Sequence, residues 1–195
     1  MKKILIISAA TAAMFGASIA QADMTAGLLD NWEDRSYAQA KLGFVDLGTS
    51  DDGMALTATA GLEAPSIHES LSFEVDVMKT LTDGESTYPS AFGSTKVEAS
   101  AFGVGAYAVS TYKELPIEGL EPYFRLGLAY TSVDVSASNN LVSASGEASE
   151  FGIAYGAGLK YDLGAHVDAL ENVGVLVDFT STEVDSMSLG VDYRF

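Results

Sequence analysis

The stretch MSLGVDYRF, residues 187–195, decides the fold. Met187, Leu189, Val191, Tyr193 and Phe195 alternate with Ser188, Gly190, Asp192 and Arg194. Successive side chains of an extended strand point to opposite faces, so one face here is wholly apolar and the other small or charged. A soluble strand of this kind needs another element over its apolar face, and the sequence stops on the aromatic. A lipid bilayer is the cover that fits, and the expectation is a membrane-spanning β-strand.

The other end of the chain points the same way. Lys2 and Lys3 precede a run of apolar and small residues over 4–20, followed by Ala20-Gln21-Ala22 with small residues at the two positions a signal peptidase reads. This predicts a cleaved secretory signal peptide over 1–22. The run is too rich in Ala, Ser and Thr, and too poor in flanking basic residues, for a spanning helix. There is no cysteine, which excludes disulfides and a cysteine-linked lipid anchor.

Removing the two lysines of the leader takes the net charge from −17 to −19 over the mature part, a surface that repels nucleic acid. Yet hydrophobic residues make up 48% of the chain and mean hydropathy is +0.19, which excludes disorder. Both fit one domain with a lipid-facing apolar band and acids confined to loops, turns and interior.

Residues 23–35 have no clear period and read as a short periplasmic lead-in, with a barrel over 36–195. Upstream of the last strand the two-residue period recurs over 38–44, 56–62, 71–77, 102–108, 124–130, 151–161 and 173–179. The fold class expected is all-β, an eight-stranded antiparallel up-and-down transmembrane β-barrel. Loops are predicted near 48–53, 80–95, 133–147 and 180–186 at one end, with 80–95 as a mobile loop. Turns are predicted near 64–70, 112–120 and 162–172 at the other end. A soluble eight-stranded barrel is the alternative, but its outer face would carry many long polar side chains. Here the second face is mostly Gly, Ala, Ser and Thr, suited to a narrow barrel's interior. Aromatics form two girdles: Phe44, Tyr130, Phe151 and Phe179 near one set of strand ends, and Phe73, Phe124, Tyr161, Tyr193 and Phe195 near the other.

PYFRLGLAY (122–130), FGIAYGAGLKY (151–161) and the final YRF (193–195) carry a resemblance to the eight-stranded outer-membrane β-barrel family of OmpX, Ail-type proteins and the OmpA transmembrane domain, the porin-family outer-membrane proteins. The resemblance spans the mature chain. It implies a location in the bacterial outer membrane with both termini periplasmic. In that family the barrel-assembly machinery recognises the terminal strand, which implies an assembly role for Val191, Tyr193 and Phe195. Outer-membrane lipid and lipopolysaccharide are the other expected partners, and a monomer is expected.

The small-residue face carries Lys41, Glu63, Glu74, Asp76, Arg125, Lys160, Asp178, Asp192 and Arg194. Opposite charges confined in a barrel should pair, because an unpaired buried charge is costly. Two readings follow: a salt-bridged plug that fills the barrel, or a gated polar path for small ions. No catalytic, cofactor-binding or metal-binding set is expected. The two histidines, His68 and His166, fall in predicted periplasmic turns, away from the rim where enzymatic barrels of this kind work. The acids of the outward loops (Asp51, Asp52, Asp83, Glu85, Asp134, Glu147, Glu183 and Asp185) lack the spacing of a calcium loop and read as solubilising charge. The function expected is a structural or surface-interaction, adhesin-like role, with a narrow porin-like channel as the alternative.

Overall fold

The computed structural model describes residues 32–90, 93–139 and 142–195. The signal peptide over 1–22 and most of the lead-in lie outside the described residues; the end of the lead-in, Trp32–Arg35, is a 3-10 turn. Nine strand segments follow: β1 (Ser36–Asp46), β2 (Gly53–Glu63), β3 (Leu71–Thr82), β4 (Gly84–Ser90), β5 (Gly93–Thr111), β6 (Leu120–Ser138), β7 (Ser143–Asp162), β8 (Val173–Ser181) and β9 (Asp185–Arg194). Neighbours in sequence other than β3 and β4 pair antiparallel, β1 pairs with β9, and β3 pairs with β5, so the sheet closes on itself. β4 continues β3 beyond Asp83, and the two together make one stave of an eight-stranded barrel.

Alternation sets what faces where. Phe124, Ile153 and Leu189 are 70%, 71% and 68% exposed on the outer face, while Lys41 and Asp192 are 1% and 2% exposed on the inner one. This is the reverse of a soluble protein and needs an apolar solvent outside. Three interior tyrosines fill the lumen, and two depend on a glycine directly opposite. Tyr37 faces Gly61 and Tyr123 faces Gly158, where a Cβ would fall 2.1 and 2.4 Å from the respective ring. Glycine there lets a ring lie flat against the opposite backbone.

The staves differ greatly in length. β1, β2, β8 and β9 have 9 to 11 residues, about what a tilted strand needs to cross a bilayer. β5, β6 and β7 have 19, 19 and 20. The predicted loops at 80–95 and 133–147 are therefore corrected: β4 and β5 run on as paired strands as far as Ser90 opposite Gly93, and β6 and β7 as far as Ser138 opposite Ser143. Their Ser-rich sequence reads as loop, but a register inherited from the barrel carries the ladder on, as in Ser136 opposite Ser145. Tyr130 and Phe151 consequently lie mid-strand rather than at strand ends. β4 and the upper parts of β5, β6 and β7 rise as a sheet beyond the rim set by the short staves.

Candidate functional site: the ionic interior and the protruding sheet

β1, β3, β6, β8 and β9 each send charge into the middle of the barrel. Arg125 is the hub. Its Nη1 donates to Asp76 at 2.8 Å and to Glu74 at 3.4 Å. Its Nη2 donates to Thr180 and lies 3.3 Å from Asp178 Oδ1. Its guanidinium sits over the Tyr107 ring, 4.4 Å from the centroid, a cation–π contact strengthened by burial. Lys41 Nζ stands 3.6 Å from both Asp76 and Asp178. Neutral donors complete the set: Thr59 donates to Asp76 at 2.7 Å, Tyr123 to Asp178 at 2.7 Å, Tyr37 to Glu74 at 2.8 Å, and Gln39 to Asp192 at 3.1 Å.

Lys160 and Arg194 sit lower, at the end that carries the termini. Both bond Glu121, at 3.1 and 3.2 Å, and Arg194 also approaches Asp162 and Asp192 at 3.9 and 4.0 Å. Glu63 is half-buried there and pairs with Lys113 at 3.5 Å. The structure thus gathers Lys41, Glu74, Asp76, Arg125 and Asp178 into one cluster. Asp192 joins through Gln39, and Lys160 and Arg194 form a second layer. Sequence reasoning missed Tyr37 and Glu121. Each continues the alternation one step past the point where the pattern was first recognised, Tyr37 before Gln39 and Glu121 before Tyr123.

The opposite end is closed by hydrocarbon. Val45, Ala55 and Val184 pack together with Leu47, Met78 and Val133 against them. Between this seal and Arg125 lies a cavity of about 40 Å³, lined mainly by Thr, Ser and Gly with Asp76 and Asp178. That is room for about one or two waters.

Beyond the seal stands the protruding sheet. β8 pairs with β7 only over 155–162, so 143–154 of β7 have β6 on one side and, among the described residues, no strand on the other. β4 is the other edge, tied to the first loop by the bridge of Asp51 with Glu85. The sheet face continuous with the apolar belt carries Glu85, Glu98, Asp134 and Glu147. Lys96 bonds Glu98 at 2.7 Å and Glu85 at 2.9 Å, and these bonds hold its ammonium above the ordinary lysine value. Glu85, Asp134, Glu147 and Asp185 lie on strands rather than in loops. Among the described residues no three acids or histidines converge to hold a metal ion. His68, bonded to Ser70, and His166, beside Tyr161, both lie at the terminus end. Val191, Tyr193 and Phe195 face outward on or just beyond β9, at 50%, 47% and 63% exposure.

A closed antiparallel barrel, apolar outside and ionic within, is a transmembrane β-barrel. Residues 7–195 match the model of the outer membrane protein beta-barrel domain, and the chain belongs to that family of the bacterial outer membrane. Among solved structures, it is similar to Neisserial surface protein A (16% identity, TM-score 0.53, 82% of this chain and 97% of that one). It is also similar to the N-terminal β-barrel domain of Pseudomonas aeruginosa OprF (16%, 0.53, 84% and 98%). A third is Ail, the attachment invasion locus protein of Yersinia pestis (16%, 0.50, 83% and 97%). These likenesses are of fold. No curated protein matches the sequence.

Proposed function

We propose that the protein is a non-catalytic surface-interaction component of the outer membrane, with the β4–β7 sheet as its docking element and the ionic interior as a structural plug. One observation carries this reading: the edge of β7 over 143–154 stands beyond the short staves, and on the side away from β6 its backbone donors and acceptors meet no strand among the described residues. Such an edge is a template for an added strand. In this reading the protruding end faces outward, both termini face the periplasm, and the acids on the sheet favour a basic partner segment. The name of the fold relative Ail, an attachment protein, is in keeping with it.

The test shortens the hairpin without touching the barrel. Val133 and Ala148 are cross-strand partners, so replacing 134–147 by Asn-Gly leaves a two-residue turn between them and removes the outer part of the edge together with Asp134 and Glu147. The shortened protein should refold in detergent with unchanged heat-modifiable gel migration. Cells displaying it should lose attachment to target surfaces that the full-length protein supports. Equal attachment by both proteins would overturn the proposal.

A further inference from the structure

We propose that Lys41 is a closure latch, the cation that β1 brings to the interior so that the barrel can shut along its β1–β9 seam. That seam joins the first and last strands and forms only once the whole chain is present. Four buried carboxylates (Glu74 and Asp76 on β3, Asp178 on β8, Asp192 on β9) face the middle of the lumen. While the sheet is open, water solvates them. Closure strips that water away, and Arg125, with Arg194 reaching only Asp192 of the four, at 4.0 Å, cannot offset them in a desolvated space.

β1 supplies what is missing. Its inward side chains Tyr37, Gln39 and Lys41 are 7%, 7% and 1% exposed, and they reach β3, β9, and β3 with β8 respectively. The seam is also shaped for the lysine. Gly190 of β9 lies opposite Lys41 in register, and a Cβ there would sit 2.7 Å from Lys41 Cγ. The last strand thus leaves open the path of the stem that carries the charge, as Gly61 and Gly158 do for the rings of Tyr37 and Tyr123.

The experiment is hydrogen exchange on Lys41→Met in detergent micelles. Amides of 37–46 and 185–194 should exchange about tenfold faster or more than in the parent, with those of 123–133 on the far wall little changed, as local opening requires. Acceleration spread evenly over all staves, or none at the seam, would overturn the latch. If Lys41→Met does not fold, the same variant with Ala40→Cys and Val191→Cys, opposite each other across the seam, should fold once oxidised. Failure to fold with that disulfide formed would also overturn it.

Discussion

At the scale of the residue, Arg125 shows how a charge is made tolerable inside a membrane protein. It meets three carboxylates, a hydroxyl and an aromatic face, all within a lumen too narrow for bulk water. Arg125→Met should therefore lower stability by about 3–5 kcal/mol, the usual cost of leaving buried partners uncompensated. The check is the urea unfolding midpoint in lipid vesicles. A loss under about 1 kcal/mol, typical of exposed pairs, would show that the lumen is wetter than its packing indicates. Much of this site could be read from sequence. A period of two is enough to put Lys41, Asp178 and Asp192 on one face, because burial in a strand follows parity. Partnership could not be read, since Thr59 with Asp76 or Tyr123 with Asp178 depends on how far each stave is shifted against the next. Tyr37 was hidden for another reason: an aromatic beside a bilayer is expected outside, and only the glycine opposite makes room for it within.

At the scale of the element, β9 combines two requirements. Its outward residues must suit lipid, and its inward residues must suit the ionic lumen, which Asp192 and Arg194 do through Gln39 and Glu121. Deleting Phe195 removes one side chain at the edge of the belt, contributing about 1.5–3 kcal/mol by burial. If the terminal strand also serves recognition during assembly, the deletion should cut outer-membrane abundance far more than it cuts refolding yield in detergent. Measuring both for the same variant decides it, and normal abundance would reduce the YRF terminus to the end of a strand. The long hairpins show where sequence reading fails. Alternation between Ser and Ala gives almost no hydrophobic contrast, so 133–147 looks like a loop. The ladder there is held by pairing already established lower in the barrel.

At the scale of the whole molecule, the lumen is filled at two levels, by the Arg125 cluster and by the Val45–Ala55–Val184 packing. Planar bilayers containing the protein should show no reproducible single-channel steps, as an eight-stranded barrel filled by its own side chains implies. Regular steps that change on neutralising Arg125 or Lys160 would favour the channel reading instead. The uneven stave lengths have one more consequence, which concerns immunity rather than transport. In the orientation proposed above, the short staves β8, β9, β1 and β2 would end near the outer bilayer surface, and the sheet of β4 to β7 would rise above it on one side only. An antibody or a surface-shaving protease would then meet a single blade, and escape from either could proceed by changes near 85–98 and 134–150 while the sequence that builds the barrel stays as it is.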